Sequence, residues 1–105
     1  MMATPLRLRT DRREDGTVVL TAVGELDLSN IAEFSAAIGE AVGDRVDGAT
    51  LQLDFSSVDY LDSAAINVLF EHADTIDVVA NPILMPVLTV SGLTNVVTVK
   101  PAGSD

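Results

Sequence analysis

Two strand-like runs with a helical repeat between them constrain this chain more than any other feature. Residues Thr17 to Val23 read TVVLTAV, β-branched and apolar on both faces, the pattern of a central strand. Thr50 to Phe55 alternates instead, with Leu51, Leu53 and Phe55 on one face and Gln52 and Asp54 on the other. That is a strand with one buried face. Between the two, Ile31, Phe34, Ile38 and Val42 recur at helical spacing, and Gly43 sits where a helix should stop. Asn30 with Glu33 three residues later predicts a capping box, with Asn in the usual Ser/Thr role.

The flanking segments extend the pattern. Leu6 to Thr10 predicts a short strand, followed by the polar turn Arg12-Arg13-Glu14-Asp15-Gly16. Gly24 and the acidic stretch Glu25-Leu26-Asp27-Leu28 are expected to break the second strand, and Ser56 to Leu61 reads as a loop. Asp62 can cap a helix over Ser63 to about Ala73, with Ile66, Leu69, Phe70 and Ala73 as its apolar stripe. Ile76 to Val79 predicts another strand, Asn81-Pro82 a turn, and Pro86 the first turn of a third helix ending near Gly92. Val96 to Val99 is the last strand candidate, and the tail PAGSD should fray. Strands alternating with helices predict a sheet that is at least partly parallel.

The length of 105 residues fits one domain, and 48% hydrophobic content fits a folded one. With only 4% aromatic residues, Val, Leu, Ile and Ala must build most of the core. The absence of cysteine excludes disulfides, thiolate catalysis and cysteine-based zinc sites, and it fits a reducing cytoplasm. No stretch approaches the roughly 20 apolar residues of a membrane span. The opening MMATPLRLRTDRRED has no apolar signal region.

The formal charge of −10 is unevenly distributed. Between Val46 and Val99 there is no Lys or Arg, while seven Asp or Glu residues fall there. Nucleic-acid binding needs clustered basic residues, and an anionic membrane surface would repel this half of the chain. A basic protein partner is favoured by opposite charge; a merely solubilising acidic surface is the plain alternative.

Catalytic constellations are poorly supported. His72 is the only histidine, so no histidine-based metal triad can form. Ser63 and His72 would lie about 13 Å apart along one helix, where a nucleophile and its base need roughly 3 Å. The glycines form neither a phosphate-cradling loop nor a dinucleotide fingerprint. Glu25, Asp27 and Asp62 are oxygen ligands suited to a hard cation, at an unspecific spacing. Asp62 and Ser63 at a helix start would tolerate a phosphate, although an N-cap followed by an ordinary serine explains them as well.

Three segments, in order, resemble the STAS domain family of bacterial anti-sigma factor antagonists. VVLTAVGELDLSNIAEFSAAI resembles the family's second strand, G-E-L-D turn and first helix. LQLDFSSVDYLDSAAINVLF resembles the third strand leading into the D-S-[ST]-G signature. ANPILMPVLTVSGL resembles the closing strand, helix and T-G-L-like turn. The resemblance implies an α/β fold: one domain over residues 1–105, ordered at about 6–99, with a mixed four- to five-stranded sheet and three to four helices.

It also implies a non-catalytic regulatory module. In the family, the unphosphorylated domain binds a kinase-like anti-sigma factor and frees a sigma factor, and phosphorylation of the residue after D-S breaks the complex. Asp27 and Asp62 match the acidic residues flanking that site, Ser63 matches the serine before the acceptor, and the acceptor position is Ala64. Alanine has no hydroxyl. The family glycines that follow are Ala65 and Asn67, the second helix is shortened, and the third carries Ile83, Leu84, Met85 and Pro86 in place of charged residues.

Either Ser63 is a displaced acceptor or the domain binds without phospho-control, and the second reading is preferred. Partner contacts are expected at Glu25, Asp27, Asp62, Ser63, Ala64 and Asn67, with no cofactor and no metal. The chain is expected in the cytoplasm as a monomer or weak homodimer, neither binding nucleic acid nor inserting in a membrane. The alternative is a STAS-type structural subunit of a transport or other multiprotein complex, which exposure of Ile83, Leu84 and Met85 would favour.

Overall fold

Arg7–Arg12 (β1) and Val18–Leu26 (β2) form an antiparallel hairpin in a computed structural model that describes residues 6–44 and 49–103. The turn closes through Arg13 N–H donating to Thr17 O at 2.8 Å and Gly16 N–H to Arg13 O at 3.0 Å. Asp15 Oδ1 accepts the Thr17 N–H at 2.9 Å, and this bond holds the Asp15 carboxyl below the ordinary aspartate range. Because the folded pKa lies below the unfolded one, the contribution is complete above the ordinary range. It is lost as pH falls through the lowered value. Asp15→Ala should therefore change the hairpin's stability slightly at neutral pH and not at all in strong acid, as read by thermal melts at the two pH values.

The chain then crosses through Ile31–Asp44 (α1) to Leu51–Leu61 (β3), through Ser63–Glu71 (α2) to Ile76–Ala80 (β4), and through Met85–Val90 (α3) to Thr98–Pro101 (β5). The sheet order follows the chain, β1-β2-β3-β4-β5, and every pair after the hairpin is parallel. Sequential parallel strands with right-handed crossovers place the helices on one face. That face carries Leu20, Ala22, Leu51, Leu53, Phe55, Ile76 and Val78, buried in one cluster with Phe34, Ile38, Leu69, Leu88 and Leu93 from the helical layer. The opposite positions, among them Thr21, Gln52, Asp54, Asp77 and Lys100, keep contact with solvent.

The α/β architecture expected above is present, with five strands and three α-helices among the described residues. Several boundaries differ for physical reasons. β2 runs through Gly24 and Glu25 instead of breaking, and β3 continues to Leu61 where a loop was expected. Their pairing slips between Thr21 and Val23 and again between Gly24 and Glu25, so β3 takes an extra residue at each place. The buried positions of β3 accordingly step from Phe55 to Val58 to Leu61, and simple alternation ends although the strand does not. Gly24, at φ 113, lies at the second irregularity, in a conformation that side chains disfavour.

Phe70 is 38% exposed, and the buried face of α2 is Ala65, Ile66, Val68 and Leu69. β5 sits two residues later than expected and takes in Pro101, with Ala102 N–H donating to Ala80 O at 2.7 Å. The start of the tail is thus paired to β4; Ser104 and Asp105, like Arg45, lie outside the described residues. No helix among the described residues is long and apolar enough to cross a membrane.

Candidate functional site

The C-terminal ends of β2, β3 and β4 bring three loops to one end of the sheet. The first, after Leu26, is shaped by its own short side chains. Asp27 Oδ1 accepts from Ser29 N–H at 2.9 Å and from the Ser29 hydroxyl. Asn30 Oδ1 accepts Asp27 N–H at 3.0 Å, while Asn30 Nδ2 donates to Glu25 O at 2.8 Å. The expected Asn30–Glu33 capping box is therefore replaced: the Asn30 side chain folds back on the loop, and Glu33 N–H reaches the Asn30 carbonyl oxygen at 3.1 Å.

The second loop is Asp62 alone. Its φ of −101° and ψ of −178° are extended, as an N-cap requires, and its Oδ1 accepts Ala65 N–H at 3.1 Å. Oδ2 accepts Leu28 N–H at 2.9 Å, and the Asp62 N–H itself donates to Leu26 O at 3.1 Å. One residue thus caps α2 and ties it to the β2–α1 loop from both sides. The third loop is pinned by Asn81, whose Oδ1 accepts Ile83 N–H at 3.2 Å and whose Nδ2 donates to Val58 O at 3.1 Å.

The residues singled out from sequence gather here. Ser63 and Asn67 are exposed one turn apart on α2, Ala64 is half-buried between them, and Glu25, Asp27 and Asp62 are half-buried. Ala65, at a family glycine position, is fully buried in the core. His72 ends α2 at the opposite extremity from Ser63, so these two share no site. Glu25, Asp27 and Asp62 do not form a metal-holding group; among the described residues no cluster of three or more suitable ligands occurs.

Sequence reasoning missed Leu28, 76% exposed in the middle of the first loop, and Tyr60, 49% exposed and in register with Glu25. Both carried a signal: an apolar residue inside an acidic turn, and the sole tyrosine of the chain. Of the discriminating run, Ile83 is 66% exposed, Leu84 is buried and Met85 is half-buried against the core. The surface depressions lined by residues 94–99 and by Arg7, Leu8, Arg9, Thr21 and Val23 include none of the expected site residues.

The family model described as "Mlab, STAS domain" matches residues 10–98. No curated protein sequence matches. Among solved structures, an anti-sigma factor antagonist from Mycobacterium paratuberculosis is similar with a TM-score of 0.82 at 23% identity, over 94% of this chain and 88% of that one. The anti-sigma factor antagonist SpoIIAA in its unphosphorylated form gives 0.66 at 19% identity, over 93% and 90%. The Bacillus cell fate determinant SpoIIAA in its phosphorylated form gives 0.59 at 21%, over 93% of each chain. At these identities the likeness is one of fold.

Proposed function

The chain belongs to the STAS domain family, of the kind described as Mlab, and from that membership we propose that it is a non-catalytic binding module that docks on an anti-sigma factor of the kinase-like class. The observation that carries this reading is Asp62. Its two carboxylate oxygens and its N–H join the β2–α1 loop to the start of α2, the two segments that carry Glu25, Asp27, Asp62, Ser63, Ala64 and Asn67. The fold shared with structures described as anti-sigma factor antagonists supports the same reading.

Control by phosphorylation does not operate at residue 64, where a methyl group stands. Ser63 is exposed, but it occupies the first helical position beside Asp62, one residue before the acceptor place. The domain holds its partner without a chemical switch. Calorimetric titration against the ATP-binding anti-sigma factors of its own genome should find one with a Kd of about 1 μM or tighter, near −8 kcal/mol. Preincubation with that factor and ATP should leave the affinity and the mass of Ser63 peptides unchanged. In Ala64→Ser the same treatment should add a phosphate and weaken binding at least tenfold, about 1.4 kcal/mol, through repulsion and desolvation beside Asp62. A phosphate on Ser63 of the native chain would overturn the switchless reading.

A second reading, a structural subunit of a transport or other multiprotein complex, has its own observation. No charged residue occurs from Val78 to Val99, and within that run Ile83, Val87, Val90 and Val96 are 66%, 38%, 88% and 53% exposed. Charge depletion with exposed apolar side chains is the composition of a lasting interface. Co-purification in a fixed ratio with one partner, surviving high salt, would favour it over reversible docking.

A further inference from the structure

Two of the acidic groups expected to touch a partner, Asp27 and Asp62, are already engaged inside the molecule. Both Asp62 oxygens accept backbone N–H groups at 3.1 and 2.9 Å, and Asp27 Oδ1 accepts the N–H and hydroxyl of Ser29. Their hydrogen bonds build the loops. Three large apolar side chains are exposed at the same strand ends: Leu28 at 76%, Tyr60 at 49% and Ile83 at 66%. Each belongs to the C-terminal end of a successive parallel strand, β2, β3 and β4.

These three side chains stand on pinned backbone. Leu28 N–H is held by Asp62, Ile83 N–H is held by Asn81, and Asn81 is tied in turn to Val58 O at 3.1 Å. Tyr60 lies within β3, paired with Glu25 of β2. Exposed apolar anchors on a framework that is already ordered lose little entropy on docking, and so contribute more to affinity than equally exposed side chains on loose loops. We infer that Leu28, Tyr60 and Ile83 are the anchors of this surface. Their occupant is a segment of a protein partner that offers an apolar ridge flanked by Lys or Arg.

The basic flanks follow from charge. Asp27 and Asp59 directly precede Leu28 and Tyr60 in the chain and Asp62 accepts the Leu28 N–H, while the described basic residues lie on β1, its turn and β5. A cationic segment gains from this field chiefly in encounter rate, since the carboxylates remain half-solvated. An anionic lipid surface or nucleic acid is repelled by it. A second copy of the chain brings a formal charge of −10 against −10. The inference rests on the docking reading given above and adds the chemistry of the partner.

Three synthetic helical peptides of equal length test it: one with a Leu ridge and Lys flanks, one with a Leu ridge and Glu flanks, and one with Ser replacing the Leu ridge between Lys flanks. The Leu/Lys peptide should bind, the Leu/Glu peptide should not, and the Ser/Lys peptide should bind at least tenfold more weakly. Leu28→Ser and Ile83→Ser should each weaken the Leu/Lys peptide about tenfold. Val90→Ser, altering a residue more exposed than any anchor, should leave it unchanged. Equal binding of the Leu/Lys and Ser/Lys peptides, or equal losses in all three variants, would overturn the inference as adherence by charge or by general stickiness. Self-association removed by Leu28→Ser would overturn it in favour of a homodimer. An anti-sigma factor that binds native protein and Leu28→Ser alike would sink the anchors and leave the docking function standing. Failure of every anti-sigma factor, with the peptide pattern intact, would do the reverse.

Discussion

Replacing Phe34 by Ala should cost this domain about 3–5 kcal/mol, the range for removing a large aromatic side chain from a closed core. Phe34 of α1 and Phe55 of β3 are both fully buried, with ring centroids 5.7 Å apart and planes tilted by 54°. That geometry adds an aromatic pair interaction to the area term. The chain has only three Phe and one Tyr, and Phe70 and Tyr60 are exposed, so no third ring closes over the gap. The remaining neighbours are Leu, Val, Ile and Ala, fixed on strands that cannot collapse inward without losing their pairing. A small domain has about 5–15 kcal/mol in total, so the variant should unfold at much lower urea with an unchanged slope. Phe70→Ala, at a side chain 38% exposed, should lose no more than about 1 kcal/mol. A Phe34→Ala cost near that of Phe70→Ala would mean that the two layers do not depend on the ring pair.

Most of the fold was legible because its signals are local. The α1 stripe of Phe34 and Ile38, the alternation from Leu51 to Phe55, the Asp62 cap and the parallel order all follow from spacings of a few residues. The errors share one cause. The alternation of β3 stops at Ser56 because its buried positions move from a two-residue to a three-residue step at the bulges, and a bulge is a property of the pair of strands. Asn30 and Glu33 have the offset of a capping box. The Asn30 side chain instead finds Glu25 O and Asp27 N–H, in a loop whose path depends on β2 staying extended past Gly24. Phe70 lies within reach of helical spacing yet turns outward, because the sheet lies under Ala65, Ile66 and Leu69.

The candidate site divides along the same line. Asp27, Asp62, Ser63 and Ala64 were found from the order of motifs, and the geometry brings them to one end of the sheet. Their internal bonding was not readable, since Leu28 and Asp62 are 34 residues apart and meet only when β2 and β3 pair. Leu28 and Tyr60 carry no facing in the sequence pattern, because one falls in a stretch read as a strand break and the other in a stretch read as a loop. Here the pleat places Leu26 and Leu61 in the core, while Leu28 and Tyr60 remain outside.

Asp62→Ala should be the most damaging single change at the site, and its two parts can be separated. Loss of the N-cap bond to Ala65 N–H removes about 1 kcal/mol. Loss of the acceptor for Leu28 N–H adds a further, smaller amount, because water reaches that exposed loop, for a total of about 1.5 kcal/mol. The functional loss should be larger than the stability loss suggests. Without Asp62 the β2–α1 loop keeps the Asp27 and Asn30 bonds that shape it but loses a tie to α2, so Leu28 is no longer held in place relative to Ser63 and Ala64. Partner affinity should fall at least tenfold.

Asp62→Asn distinguishes the two roles. Its amide oxygen can still cap Ala65 N–H, since Asn caps about as well as Asp, but its NH2 group then faces Leu28 N–H donor to donor. Stability should return to within about 1 kcal/mol of native while affinity stays as low as in Asp62→Ala. Amide exchange at Leu28 should accelerate in both variants, and at Ala65 only in the alanine one. Native affinity in Asp62→Asn would show that the carboxylate serves the helix alone and that the two loops recognise a partner independently.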